Sequence, residues 1–134
     1  MFLDESEITG DHIVSTYRIR GDEFFLKGHF KNEPVFPASI VFEALGQAGC
    51  LWLLVNSQER LGAPLNAGQV LFASMDGAHF YRKTGPGETL VMKLKLAQLR
   101  APLAIFRGSV WTADEKRVAE LEKVVLAFGV EAPK

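Results

Sequence analysis

From Ala38 to Val55 the chain is apolar except for Ser39, Glu43 and Gln47, and that run limits what the rest can do. Pro37 suits a first helical position, and Gly62 and Pro64 supply stop signals after Gln58-Glu59-Arg60-Leu61. The spacing predicts a helix of roughly 20–24 residues, about 30–36 Å long at 1.5 Å per residue. A surface helix shows a wide polar face, whereas this one is apolar nearly all round, so it must be enclosed. Its length just reaches that of a membrane span. Glu43 and Gln47 interrupt it and neither flank carries an anchoring charge cluster, so we read it as a buried helix of a soluble protein with no membrane insertion.

What encloses the helix is read from the remaining chain, which has the period of strands. His12 to Arg20 alternates, with Ile13, Tyr17 and Ile19 on one side. Ala67 to Arg82 is apolar and weakly alternating. Glu88 to Gln98 places Leu90, Met92, Leu94 and Leu96 inward and Lys93 and Lys95 outward. Ala101-Pro102 makes a turn, and Leu103 to Thr112 and Arg117 to Phe128 form a hairpin through Ala113-Asp114-Glu115-Lys116. Short connections imply antiparallel neighbours. The expected architecture is α+β: an antiparallel, five- to six-stranded curved sheet wrapped around one long central helix. One sheet cannot cover a helix that is apolar on every side, so a homodimer is expected to cover the remainder.

Composition agrees with one domain over residues 1–134. The chain is 48% hydrophobic and 23% charged, enough to build a core and too apolar for disorder. Fifteen Lys and Arg balance sixteen Asp and Glu for a net charge of -1, so no global field favours nucleic acid. Cys50 is the lone cysteine, and MFLDESEITG gives no cationic lead-in to an apolar signal core. These features predict a reducing, cytoplasmic setting.

The residues that suggest chemistry are His29 and Glu43. Two prolines three apart, Pro34 and Pro37, make Gly28 to Pro37 a stiff extended loop around His29. An imidazole held in a fixed backbone cradle suits a general base. Glu43 shares a helical stripe with Ser39 and Gln47, four residues away on either side. A sequestered carboxylate needs a partner or must go neutral. A structural Glu43 bonded to Gln47, and a His29 bonded to a backbone carbonyl, are the plain alternatives. The free N–H groups of Ala38 and Ser39 at the helix N-terminus suit an oxyanion. Together a base, an acid and an oxyanion site fit proton abstraction beside a carbonyl with loss of a hydroxyl. No metal site or cofactor is indicated, since His12, His29 and His79 form no ligand motif, and no serine has a nucleophile elbow.

The run Gly-His-Phe-Lys-Asn-Glu-Pro-Val-Phe-Pro-Ala-Ser-Ile-Val-Phe-Glu-Ala-Leu-Gly-Gln-Ala, residues 28 to 48, resembles the signature of the hot-dog-fold 3-hydroxyacyl-[acyl-carrier-protein] dehydratases. The likeness extends through Met75 to Phe80, Gly85 to Glu88, Phe106 to Gly108 and Val118 to Glu120. It implies a hot-dog fold and dehydration of 3-hydroxyacyl thioesters to trans-2-enoyl thioesters in fatty acid or related lipid biosynthesis. His29 would take the C2 proton, and Glu43, from the partner subunit, would assist departure of the C3 hydroxyl as water. The Ala38 N–H would polarise the thioester carbonyl, the Val35 carbonyl would orient the imidazole, and Gln47 would hold Glu43. Glu rather than Asp at position 43 resembles the dehydratase-only branch. Ala38 replaces the family's glycine, adding a Cβ while keeping the N–H, and Lys31-Asn32-Glu33 replaces its usual turn.

The substrate implied is an acyl-carrier-protein or CoA thioester, and the assembly a homodimer or a trimer of dimers. A thioesterase on the same fold, or a non-catalytic subunit that binds acyl thioesters, are the alternatives. Arg82, Lys83, Arg100 and Arg107 form either a basic rim for an acidic carrier protein or for the phosphates of coenzyme A, or ordinary solvated charges. Cys50 reads as a small buried hydrophobe, not a nucleophile.

Overall fold

In the computed structural model, which describes residues 3–20, 38–62 and 65–130, six strands and one long helix follow in chain order. They are β1 (Glu5–Thr9), β2 (His12–Arg18), α1 (Ala38–Leu61), β3 (Leu65–Phe80), β4 (Thr89–Arg100), β5 (Leu103–Thr112) and β6 (Arg117–Val130). All pair antiparallel in one sheet of order β1-β2-β4-β5-β6-β3. The expected strands are all present, Leu103–Thr112 with the same bounds and the others with ends shifted by at most two residues.

Strand β1 was not expected from the sequence. Glu5-Ser6-Glu7-Ile8-Thr9 has no apolar alternation to announce it. It is held by backbone pairing to β2 and by the Ser6 and Ser15 hydroxyls, 2.7 Å apart. Asp4 extends the edge, accepting from the Arg18 N–H at 2.8 Å and from the Arg20 guanidinium at 2.6 Å. Partial desolvation would raise the Asp4 carboxyl, but the Arg18 amide and Arg20 hold it below its ordinary value.

The inner face of the sheet carries the alternating residues that the sequence places inward. Ile13, Leu90, Met92, Phe106, Val124 and Leu126 are fully buried, and α1 packs across them. Two glycines set how closely. A Cβ at Gly49 would lie 3.0 Å from Leu126 Cδ1, and one at Gly108 would lie 3.2 Å from Leu45 Cδ2. Helix and sheet therefore meet so closely that a methyl group at either point fits only if the facing leucine side chain gives way by a few tenths of an ångström. Trp52 closes the far end of this layer. It is fully buried, meets Phe106 edge to face at 5.8 Å, and donates its indole N–H to the Gly10 carbonyl at 2.9 Å. Its indole thus fastens the helix to the β1–β2 turn, where Arg60 and Asp11 add a surface ion pair at 2.7 Å.

The sheet covers one side of α1. Val41, Ala44, Leu45, Ala48, Trp52 and Leu53 are buried, while Leu54 is 46% and Val55 60% exposed. Ile40, Cys50 and Leu51 are half-buried. Within one chain the helix is not enclosed all round, because a single sheet offers only one concave face.

Trp52→Ala is expected to lower the unfolding free energy by about 3–5 kcal/mol. Gly108→Val should lower it by about 1–3 kcal/mol through overpacking against Leu45. Urea titrations followed by circular dichroism measure both.

Candidate functional site

The half of the helix that faces away from the sheet carries Glu43. Positions 40, 43, 47, 50, 51 and 54 recur at spacings of three and four residues and so share one side of α1. On it Glu43 is exposed and Gln47, one turn further on, is half-buried. Glu43 is therefore not a carboxylate sequestered in the interior of one chain. The physical reason is the one-sided cover of the helix: buried positions face the sheet, and Glu43 lies on the opposite side. The stripe is apolar on either side of these two residues, with Ile40 before them and Cys50, Leu51 and Leu54 after.

Ala38 and Ser39 open the helix, so their backbone N–H groups belong to the first turn, which has no intrahelical acceptor. No acidic residue occupies that turn, so the turn itself supplies no counter-charge to its positive dipole end. The start of the helix is held near the end of β3, where Phe42 meets Phe80 edge to face at 6.5 Å between ring centroids. His29 and Val35 lie outside the described residues. The chain enters that segment from Ile19 and Arg20. Ile19 donates to the Glu88 carbonyl at 2.9 Å and accepts from Gly87 N–H at 2.8 Å. The turn Gly85 to Glu88, with Gly87 at φ 89°, thus anchors the exit from β2.

Cys50 shares the outward stripe with Glu43. Burial pushes its thiol up from the ordinary value, which keeps the thiolate, the nucleophilic form, scarce near neutrality. Among the described residues no cluster of His, Cys, Asp and Glu is arranged to hold a metal ion.

The four cations taken together as a rim are not brought together. Arg100 pairs with Leu103 at one end of β5, whereas the backbone of Arg82 reaches Val118, near the Trp111 end. Those ends are roughly 26 Å apart at about 3.3 Å per residue. Arg107 lies between them, directly opposite Lys95 of β4. Strand alternation places both residues outward, but only the pairing register makes them neighbours.

Comparison with known proteins agrees with this architecture. A FabA-like domain model matches residues 3–122. The chain is 34% identical over 124 residues to the 3-hydroxyacyl-[acyl-carrier-protein] dehydratase FabZ of Clostridium tetani, covering 91% of this chain and 82% of that one. It is 36% identical over 115 residues to the enzyme of the same name from Polaromonas naphthalenivorans, covering 85% and 76%. Among solved structures, the dehydratase heterocomplex ApeI:P from Xenorhabdus doucetiae superposes with a TM-score of 0.79 at 13% identity, covering 98% of this chain and 84% of that one. A hypothetical thioesterase from Streptococcus pneumoniae with coenzyme A gives a TM-score of 0.66 at 11% identity, covering 96% and 88%. These two structures share the hot-dog fold.

The Cys50 thiol is expected to react with iodoacetamide at pH 7.5 more slowly than free cysteine and to accelerate as the pH rises. Mass spectrometry of timed samples measures this; a rate equal to or above that of free cysteine would contradict the burial argument.

Proposed function

Since the chain belongs to the FabA-like family of hot-dog-fold 3-hydroxyacyl-[acyl-carrier-protein] dehydratases, we propose that it removes water from 3-hydroxyacyl thioesters to give trans-2-enoyl thioesters in fatty acid biosynthesis. The observation that carries this reading is the run from Gly28 to Ala48, which sets His29 fourteen residues before Glu43 and Gln47 four after it. The substrate is taken as a thioester of acyl carrier protein or of coenzyme A, and the reaction as cytoplasmic.

In the mechanism, His29 removes the proton from C2, and the electron pair moves toward the thioester carbonyl. The N–H groups of Ala38 and Ser39, at the positive end of α1, stabilise the oxygen on which that charge develops. The partner subunit's Glu43 then donates a proton to the C3 hydroxyl, which leaves as water as the double bond closes. The Val35 carbonyl orients the His29 imidazole, and Gln47 orients Glu43. Ala38 is compatible with this scheme because the oxyanion contact uses a backbone N–H, which alanine keeps.

A homodimer follows from the same physics. The outward stripe of α1 exposes Leu54 and Val55, and β3 is a long edge strand with few charges. A second copy against this side would cover the apolar stripe and remove water from around Glu43. Residues on this side of one chain are thus incomplete as a site until the second copy is present. A trimer of such dimers is the larger assembly consistent with this reading.

The second reading, a thioester hydrolase, is favoured only by the fold shared with thioesterases. The same assay separates the two, because hydrolysis releases free thiol and dehydration does not.

His29→Ala and Glu43→Gln are each expected to lower the rate of enoyl-thioester formation by about 10²–10⁴-fold, with the circular dichroism spectrum unchanged. Ultraviolet absorbance of the conjugated product follows the reaction, and a thiol reagent follows hydrolysis in parallel. Full dehydratase activity in either variant would refute the assigned roles. Light scattering at micromolar protein is expected to give the mass of a dimer or a multiple of it, and Leu54→Lys should shift dimerisation to higher concentration.

A further inference from the structure

The face of the sheet turned away from α1 carries an arrangement that the reaction does not use. Three basic side chains stand in one cross-strand row: His12 of β2 is directly opposite Lys95 of β4, and Lys95 is directly opposite Arg107 of β5. All three are exposed on the convex face, since the residues between them along each strand point to the core. Lys93 stands two residues from Lys95 on the same face. Like charges directly opposite on paired strands destabilise a sheet, so Lys95 and Arg107 are an arrangement that folding alone would not favour.

No described carboxylate neutralises them. Glu120 and Glu122 of β6 share this face, and each has a solvent-exposed contact with another side chain. Glu120 faces Arg117 at 3.5 Å, and Glu122 faces His79 at 3.8 Å. The Glu122 side chain also lies across Gly77, where a Cβ would come within 2.6 Å of it. Lys93 is drawn toward Trp111, 5.3 Å from the ring centroid. That leaves Lys95 and Arg107, among the described residues, with no ion pair.

These cations line a concavity of about 550 Å³, whose walls include His12, Lys93, Lys95, Arg107 and Ser109 and, on the β6 side, Glu120 and Glu122. Its size is that of a small-molecule site. Acidic residues flank the basic floor on both sides, Glu7 opposite Val14 on the β1 edge and Glu120 and Glu122 on β6. A compact anion fits between those flanks, whereas a broad acidic protein surface or an anionic membrane would be repelled by them. We propose that this convex face is a binding site for a soluble phosphorylated small molecule carrying at least two phosphate charges, which bridge Lys95 and Arg107 with His12 and Ser109 as further polar contacts. Arg107 supplies a planar fork suited to a phosphate oxygen pair, and Lys95 a mobile point charge. The site lies on the opposite side of the sheet from Glu43, so it stands or falls independently of the dehydratase reading.

Isothermal titration of the full-length protein with inorganic pyrophosphate tests it, with sodium sulfate at equal ionic strength as the control. Pyrophosphate is expected to bind one site per chain, more weakly as salt is raised, and sulfate to bind much less. Lys95→Ala and Arg107→Ala should each raise the pyrophosphate Kd roughly tenfold, the loss of one charge-assisted contact. Removing one of two facing like charges should leave the thermal midpoint without ligand unchanged or higher, so a variant that loses binding by misfolding is recognised by a lowered midpoint. For such a variant Lys95→Gln replaces it in the titration. The same affinity for sulfate, an unaltered Kd in well-folded variants, or no heat with pyrophosphate would each overturn the proposal, including in the event that an acidic protein is later found on this face.

Discussion

The structure depends on a mismatch of areas. An α-helix that is apolar around most of its circumference packs on a sheet that can cover only one side of it. On the covered side the contact is close: a Cβ at Gly49 or Gly108 would press on Leu126 or Leu45, and Leu45, Trp52 and Phe106 fill the layer between. That contact fixes the helix against rotation. It thereby decides which residues face outward, and the outward stripe is the one that bears Glu43 and Gln47. Burial on one side of the helix and chemistry on the other are two results of the same packing.

The two faces of the sheet divide their tasks in a similar way. The concave face is largely apolar, with Ser15 and Thr112 as buried polar residues, and holds the helix. The convex face is charged, but its charges are not evenly paired: a basic strip across β2, β4 and β5 runs between acidic margins on β1 and β6. Aromatic rings take up part of this charge, since Trp111 meets both Lys93 and Arg117 within about 5.3 Å. Uneven pairing on a surface that folding leaves unconstrained is where a ligand is most readily accommodated without disturbing the core.

Much of the fold was legible in the sequence because burial writes a period into it. The alternation of Leu90, Met92, Leu94 and Leu96 with Lys93 and Lys95 marked a half-buried strand, and the proline and glycine at the ends of the apolar run bounded the helix. Strand β1 was not legible, since an edge strand held by backbone bonds and by Asp4 leaves no apolar period. The candidate site was legible in part. The spacing of Glu43 and Gln47 placed them on one stripe, but the expectation that the stripe was buried came from counting apolar residues, and counting cannot say which side a single sheet will cover.

The sequence by itself determined the element types other than β1, the inward faces of β2 and β4 and the family's motif, because these depend on local spacing and on residue chemistry. Only the tertiary structure decided the register. Register brought Lys95 opposite Arg107 and kept Arg100 far from Arg82, and the helix's rotation on the sheet left Glu43 outside. Both are set by contacts between residues distant in the chain, whose partners no local pattern specifies.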